Sequence, residues 1–438
     1  MTANTTHLIP NLGAEETREW ARFAASPAVA RTVALWRLLF GPGNRLIGLD
    51  GLEKVDGVDE SWPKSLGRRP DAAVFGWLEA LASAAWLADE DAAALARSQG
   101  VPLVSSPPDV VRSVHDKAFA LEAAREQGEE PRPLRGLCRV FSPAALEHAA
   151  ASLEEIESEL TRWPAWTAGR FTLKPRHGSS GRGRVGGQRD TLDADAILGA
   201  LPRLAQCGGA LLEPWLERTQ DLSVVMHLGH PDAHPDSRAG SHDNSHADAH
   251  TDAHTDARAE PAVTILGSLE QRVSDSGVYL GHQGEIDSRG RVFSGSAYDE
   301  PMRGAAAAIA GRARSAGYAG PCGVDGFVFR LQDPGEDVPR EVLRPIVEFN
   351  ARFTVGIIVV GLIRRALAQV KQSLDLAPGE RLGFLFALEC PAAWTSWQSG
   401  FGELGERTLL LPLASESDGG GPALLFTDQL ARIRAALE

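Results

Sequence analysis

The stretch of residues 229–261 constrains the fold of this chain more than any other feature. It consists mainly of His, Asp, Ala, Ser and Thr, and its near-repeat HADAHTDAHTDA contains no apolar residue larger than alanine. Such a segment has too little apolar surface to offset the entropy lost on ordering, so it cannot help to form a core. The apolar runs on either side, 222–228 and 262–269, are typical of strands. We therefore expect a hairpin whose strands are separated by a long insertion.

Histidines recur every fourth residue within this insertion. On a helix, four of them would lie on one face, where they could bind a transition metal such as Zn²⁺ or Ni²⁺. The alternative is an unstructured insertion, which the same composition favours. The four are His242, His246, His250 and His254. We expect the unstructured form and keep the metal-binding helix as the competing hypothesis.

The remaining composition indicates a multidomain globular protein. The chain has 438 residues, 43% of them hydrophobic and 23% charged, which is typical of folded domains. Its net charge of -14 argues against nucleic acid or an anionic membrane as the main partner. The apolar run 355–363 is shorter than the ~20 residues of a membrane span, and the N-terminus lacks a signal-peptide pattern. We predict a cytoplasmic protein whose four widely spaced cysteines are reduced and buried.

A lysine followed by a loop of small residues is the strongest local signal for chemistry. The predicted strand 170–174 ends in Lys174, and a loop with glycines and serines follows. Backbone N–H groups and hydroxyls of such a loop can enclose phosphate oxygens, although the loop lacks Walker spacing and could be only a flexible turn. The small residues are Gly178, Ser179, Ser180, Gly181 and Gly183. Upstream, apolar spacing predicts one helix over 109–127, with Lys117 on it.

An apolar strand ending at residue 213 is a candidate adenine-binding segment. Adenine needs an apolar slot and an extended backbone edge that offers one donor and one acceptor. The residues at this position are Glu213, Pro214, Trp215 and Leu216. An ordinary junction between a strand and a loop would give the same pattern.

Two further segments place oxygen ligands at strand positions. Asp325 lies in a run that reads as a strand, and Glu348, Asn350 and Arg352 alternate with apolar residues in another. The period of two puts these three side chains on one face of their strand. Carboxylate and amide oxygens suit Mg²⁺, and arginine suits phosphate. An exposed edge strand is the alternative, which the matching acid Asp325 weakens.

The order of these motifs resembles the ATP-grasp superfamily of carboxylate-amine and carboxylate-thiol ligase-like enzymes over residues 100–375. The resemblance implies a mixed α+β and α/β chain, in which two α+β subdomains clamp ATP behind an α/β domain. The implied units are the α/β domain 1–105, the small subdomain 106–210 with the Gly-rich loop, the large subdomain 211–380 with the insertion 229–261, and a C-terminal extension 381–438.

The resemblance also implies roles for individual residues. Lys117, Lys174 and the loop from Gly178 to Gly183 would contact phosphate, while Glu213, Pro214, Trp215 and Leu216 would hold adenine, with Asp221 as a ribose contact. Asp325, Glu348 and Asn350 would bind Mg²⁺, which Mn²⁺ could replace, and Arg352 would contact the transferred phosphate. We add Arg272 as a candidate for holding the substrate carboxylate, with a surface arginine as the equal alternative.

The implied reaction is ATP-dependent ligation that forms ADP and phosphate. A small-molecule or peptide carboxylate would become an acylphosphate, which an amine or similar nucleophile would attack. Two alternatives are a kinase-like phosphotransferase and a non-catalytic regulatory protein that binds nucleotide or metal. The sequence leaves open the acid, the nucleophile and the oligomeric state.

Overall fold

The computed structural model describes most of the chain outside the low-complexity insertion. The described residues are 6–16, 26–48, 62–178, 181–229, 262–274, 278–332, 338–389, 407–414 and 421–431. The predictions for Ser179, Ser180 and the histidines of the insertion therefore lie outside the described residues.

The N-terminal part contains a small parallel sheet with helices. Its strand order is β2-β1-β3, and both pairings are parallel. The elements are β1 (His7–Ile9), α1 (Pro27–Arg37), β2 (Arg45–Leu46), α2 (Gly76–Glu79), β3 (Ser83–Ala85) and α3 (Glu90–Ser98). Parallel strands connected through helices are the α/β arrangement that we predicted for this part of the chain.

The single helix predicted over 109–127 is wrong, because two helices occur there. They are α4 (Pro108–Val114) and α5 (Lys117–Glu126). Asp116 interrupts the helix, since its carboxylate accepts the N–H of Ala118 at 2.8 Å and caps α5. The break has a consequence for the site, because it places Lys117 at the first position of α5.

A four-stranded antiparallel sheet follows, with strand order β4-β7-β5-β6. Its elements are β4 (Arg139–Phe141), α6 (Pro143–Glu147), α7 (Ala149–Arg162), β5 (Arg170–Pro175), β6 (Val185–Gln188), α8 (Ala194–Gln206) and β7 (Ala210–Pro214). Leu173 and Leu212 face the helices in one buried cluster. Because side chains alternate along a strand, Lys174 and Glu213 point to the other face. Strand β7 thus belongs to this sheet, although we assigned residues from 211 onward to the large subdomain.

The largest sheet has nine strands in the order β13-β12-β8-β9-β10-β14-β16-β15, with β11 paired to β10. All of its pairings are antiparallel. Its strands are β8 (Arg218–Leu228), β9 (Val263–Val273), β10 (Tyr279–Asp287), β11 (Val292–Phe293), β12 (Gly320–Leu331), β13 (Arg340–Asn350), β14 (Arg381–Ala387), β15 (Thr408–Pro412) and β16 (Ala423–Thr427). The hairpin predicted around the insertion is confirmed, because Leu228 pairs with Val263. The C-terminal strands continue the same sheet.

Two long helices cover opposite faces of the nine-stranded sheet. They are α9 (Asp299–Ser315) and α10 (Val355–Leu374). Gly356 of α10 packs near Leu269, whereas Asp299 of α9 accepts a hydrogen bond from the neighbouring residue Ser268. Consecutive strand residues point to opposite faces, so the two helices lie on different sides. The predicted fold class is confirmed to the extent that an α/β unit with a parallel sheet precedes two units of antiparallel sheet and helices.

Two other predictions concern the cysteines and the apolar helices. Cys138, Cys207 and Cys322 are buried thiols outside any disulfide, as predicted, and Cys390 lies outside the described residues. In the part of the chain that the structure describes, no helix combines the length and the apolar character needed to cross a bilayer.

Candidate active site

Two carboxylates face each other across neighbouring strands. Asp325 of β12 pairs directly with Glu348 of β13, which places like charges at adjacent positions of the sheet. Burial, and after it the negative charge of Glu348, raises the pKa of Asp325 to about 6. Such a pair is unfavourable without a positive partner, so the arrangement fits a cation that both oxygens can bind.

Asn350 lies on the same face as these carboxylates. Its amide nitrogen donates to Oδ2 of Asp325 at 2.8 Å, and its oxygen accepts from Nη2 of Arg352 at 3.2 Å. Among the described residues, no cluster of three His, Cys, Asp or Glu side chains could hold a metal ion alone. Two carboxylates and one amide match the few protein ligands of Mg²⁺, whose remaining positions are filled by water and nucleotide phosphates. The predicted metal ligands are therefore brought together.

Gln271 completes this cluster and was missed in the sequence. Its side-chain nitrogen donates to Oδ1 of Asp325 at 2.7 Å from strand β9. Arg272, which we predicted to hold the substrate carboxylate or acylphosphate, is the next residue on the same strand, so its side chain projects to the opposite face, the face that carries α9. Gln271 could have been noted as a polar residue two positions after the buried Leu269.

A buried ionic cluster fixes Lys174. Its Nζ lies 2.7 Å from Oε1 of Glu213, and Nη2 of Arg344 lies 2.9 Å from Oε2 of the same carboxylate. Burial alone would raise the pKa of Glu213, but the charges of Arg344 and Lys174 outweigh it and lower the pKa to about 2. The Glu213 side chain is thus ionised and engaged by two cations. Arg344 was not predicted.

Lys117 connects the Gly-rich loop to the carboxylates. Its Nζ donates to the carbonyl oxygen of Gly178 at 2.7 Å and lies 3.9 Å from Oε1 of Glu348. Burial lowers the pKa of Lys117, while the negative charge of Glu348 opposes that effect. Further along the loop, Gly181 and Gly183 adopt φ angles of 67° and 77°, which other residues adopt only with strain.

The candidate phosphate arginine is held by the N-terminal part of the chain. Nε of Arg352 lies 2.8 Å from Oε1 of Glu15, a residue of the short turn Ala14–Glu16 that follows β1. The Glu15 side chain is only 1% exposed. The sequence does not indicate that Glu15 belongs to the site, because Glu15 and Arg352 are far apart in the chain.

The proposed adenine segment carries an aromatic ring between cations. Guanidinium groups of Arg184 and Arg218 lie 4.5 Å and 5.0 Å from the centre of the Trp215 ring. Arg218 also donates to Asp221 at 2.8 Å. The backbone N–H of Trp215 bonds to the carbonyl oxygen of Arg170, which anchors this segment to the four-stranded sheet.

These groups surround one cavity of about 380 Å³ between the two larger sheets and the N-terminal turn. Most of the predicted site residues that the structure describes line it: Lys117, Lys174, Gly178, Gly181, Glu213, Trp215, Asp221, Asp325, Glu348, Asn350 and Arg352. Gly183, Pro214, Leu216 and Arg272 lie in the adjoining segments outside its wall. The first turn of α10, capped by Thr354, also reaches the cavity, and a helix N-terminus favours anions.

Comparisons with solved structures return several enzymes, some of them solved with adenine nucleotides. The biotin carboxylase domain of 2-oxoglutarate carboxylase from Hydrogenobacter thermophilus, solved with MgADP and bicarbonate, is 15% identical; the match covers 100% of this chain and 90% of that one, with a TM-score of 0.47. N5-carboxyaminoimidazole synthase from Aspergillus clavatus, solved with ADP, is 14% identical over 100% and 97% of the chains, with a TM-score of 0.44. D-alanyl-alanine synthetase A from Vibrio cholerae is 10% identical over 84% and 100%, with a TM-score of 0.43.

No family model matches the chain, and no curated protein matches it. At these identities the likeness to solved structures decides neither reaction nor substrate, so the residues of the site must supply the argument.

Proposed function

We propose that this protein is an ATP- and Mg²⁺-dependent ligase of the ATP-grasp type, which activates a carboxylate as an acylphosphate for attack by an amine or similar nucleophile. One observation carries the proposal: the facing carboxylates Asp325 and Glu348 share a cavity with two lysines and an arginine. Carboxylates alone would suit many cations. Carboxylates beside Lys117, Lys174 and Arg352 suit a cation that arrives with phosphate groups.

The nucleotide would lie between the two larger sheets. Lys174 projects from the face of the four-stranded sheet turned away from its helices, and Glu348 projects from the nine-stranded sheet into the same cavity. The backbone from Glu213 to Leu216, with the Trp215 ring, offers the edge and apolar surface that adenine requires. Asp221 lies in the wall beside Trp215, within reach of a ribose hydroxyl.

Each charged residue would then have a defined part in phosphoryl transfer. Lys117 and Lys174 neutralise phosphate oxygens, and Arg352 holds the transferred group on the side of the N-terminal turn. Bound Mg²⁺ would supply further neutralisation of the β- and γ-phosphate charge. Positioning and charge neutralisation account for this chemistry, which requires no nucleophilic side chain from the protein.

The acid would approach the γ-phosphate near the first turn of α10. Val355 and Gly356 line the cavity there, and unpaired N–H groups at a helix N-terminus stabilise carboxylate and phosphate oxygens. The carboxylate oxygen attacks phosphorus, the bond to the ADP oxygen breaks, and an acylphosphate forms. The amine then attacks the acyl carbon and releases phosphate.

The test is release of ADP by the purified full-length protein with mixtures of carboxylic acids and amines. We expect turnover that depends on Mg²⁺ and disappears in Glu348→Ala. Glu341→Ala is the matched control, since Glu341 is an exposed residue on the same strand. Equal loss in both variants, or turnover without divalent metal, would contradict the proposal. A phosphorylated acid that accumulates in the presence of amines would instead identify a kinase.

A further inference from the structure

The cavity continues past the carboxylates to an end built mainly from apolar side chains. Helix α1 contributes Ala28 and Val29 to the wall of this end. The first residue of α10, Val355, lies opposite, and Leu388 follows directly after β14. We call this region the apolar end.

Independent contacts show that these elements meet at one place. Strand β10 pairs with β14 up to Gly281 and Ala387, so the start of β10 and the end of β14 are neighbours. An ion pair between Arg31 and Glu389 joins α1 to the segment after β14. Gly356 of α10 lies next to His282 of β10, so both helices and both strands bound the same end of the cavity.

The polar groups at the apolar end are already paired with one another. The Tyr279 hydroxyl lies 2.6 Å from Nδ1 of His282. Burial lowers the pKa of His282 to about 3 and raises the pKa of Tyr279 well above its usual range, so both groups are neutral near pH 7. Glu15 and Arg352 form an ion pair at the boundary with the carboxylate cluster. Within the described wall of this end, every charged side chain thus has a partner of opposite charge.

We propose that the apolar end holds the body of the acid substrate, and that this substrate is a monocarboxylic acid with an aliphatic or aromatic body and no second charge. The inference rests on the proposed function and adds the class of acid. Burial of apolar surface is favourable, whereas the described residues of this end offer no unpaired counter-ion to a second charge. The carboxylate group of the same molecule would point toward α10 and Arg352, where the phosphate is transferred.

The experiment traps the acylphosphate with hydroxylamine, so the natural amine need not be known. The hydroxylamine nitrogen attacks the acyl carbon, the bond to the phosphate oxygen breaks, and a hydroxamate and phosphate form as nitrogen loses a proton to solvent. The full chain is incubated with MgATP and single acids. Hexanoate and phenylacetate represent apolar bodies, and glutarate and glutamate carry a second charge. Hydroxamate and ADP are measured together.

Variants of α1 test whether the body of the acid binds at the apolar end. Ala28 is exposed and lies in the first turn of α1, where an aspartate also interacts favourably with the helix dipole, so Ala28→Asp should fold normally. We expect it to lower kcat/KM for hexanoate by about tenfold or more, because the new carboxylate opposes an apolar body. Ala28→Lys should instead give measurable hydroxamate from glutarate. Ala34→Asp, on another face of α1 and outside the cavity wall, is the control and should stay within about twofold of wild type.

The outcomes separate the two proposals. Hydroxamate from apolar acids, with the expected shift in the Ala28 variants, supports both. Hydroxamate only from acids with a second charge, or equal effects of the substitutions at Ala28 and Ala34, overturns the apolar end as the acid site and leaves the ligase function standing. Hydroxamate from none of a broad set of charged and apolar acids overturns acid activation, and the inference with it.

Discussion

The Glu15 carboxylate lies 2.8 Å from Nε of Arg352, and this ion pair joins the turn after the first strand to the segment that follows Glu348 and Asn350, the proposed metal ligands. Glu15→Gln removes the negative partner while retaining the shape. Breaking a buried ion pair costs about 3–5 kcal/mol, so we expect a lower free energy of unfolding by urea denaturation, together with reduced turnover. Glu147→Gln, an exposed substitution, is the control. Unchanged turnover would show that the position of Arg352 does not depend on its ion pair with Glu15.

The facing carboxylates predict an unusual dependence of stability on pH. The pKa of Asp325 is raised from its ordinary 3.8 to about 6 in the folded protein without metal. A raised pKa contributes stability that is fully present below the unfolded value and is lost as pH rises through about 6. We therefore expect the melting temperature of wild type, relative to Asp325→Asn, to decline between pH 4 and 7 without Mg²⁺. Added Mg²⁺ with ADP should raise the melting temperature of wild type only; an equal rise in the variant argues against this metal site.

The ionic cluster around Glu213 predicts the opposite dependence. Its folded pKa is about 2, against an ordinary value of 4.5. A depressed pKa contributes stability that is present above the unfolded value and is lost as pH falls toward the folded one. Glu213→Gln should therefore be less stable than wild type at pH 7, by about 3–5 kcal/mol, and the difference should shrink below pH 4.5. Denaturation at several pH values measures the difference in free energy of unfolding between wild type and the variant. A difference independent of pH would contradict the ion pairs assigned to Glu213.

Neighbouring residues of β9 should differ sharply in their effect on metal binding. Gln271→Ala removes a hydrogen bond that orients Asp325, and losses of such supporting contacts weaken metal sites by about 10–100-fold. Arg272→Ala should have little effect on the Mg²⁺ concentration that gives half-maximal turnover. A larger effect at Arg272 would contradict the role of Gln271 in orienting Asp325.

Removal of the histidine-rich insertion should leave folding and turnover nearly unchanged. The hairpin is closed at its base by the N–H of Gly229, which donates to the carbonyl oxygen of Ala262 at 3.2 Å. Shortening a loop changes its closure entropy only slowly with length, so a short Gly-Ser turn in place of residues 230–261 should preserve the pairing. Turnover and melting temperature, each with and without Zn²⁺, decide between this outcome and the metal-binding helix. Stabilisation by Zn²⁺ that requires the insertion would show a working metal site.

Local patterns in the sequence predicted much of the site because strand periodicity determines which side chains share a face. The alternation in β13 correctly indicated that Glu348 and Asn350 would project together, whereas Arg352 lies beyond the end of that strand and still lines the same cavity. Pairing partners were harder to predict, since they depend on contacts between distant segments. Glu15 and Arg344 could be recognised only once the sheets had been placed side by side.

The errors have equally local causes. Apolar spacing predicted one helix through Asp116, but the same carboxylate caps α5 and also bonds Nε of Arg176 at 3.0 Å. That second bond, together with the N–H of Lys117 on the carbonyl oxygen of Arg176, ties the start of α5 to the segment before the Gly-rich loop. A periodicity argument counts apolar residues and cannot register a cap of this kind.

The addition of β14, β16 and β15 to the nine-stranded sheet has a consequence for biosynthesis. Strand β10 has β9 on one side and β14 on the other, so its second hydrogen-bonding side stays open until the ribosome has released residues 381–387. While the segment between β10 and β14 is translated, the nascent chain therefore carries a strand with one unpaired side, and premature termination shortly before residue 381 would yield a polypeptide with a template for aggregation. Expression of the protein in soluble form should depend on the last strands as much as on the residues that bind substrate.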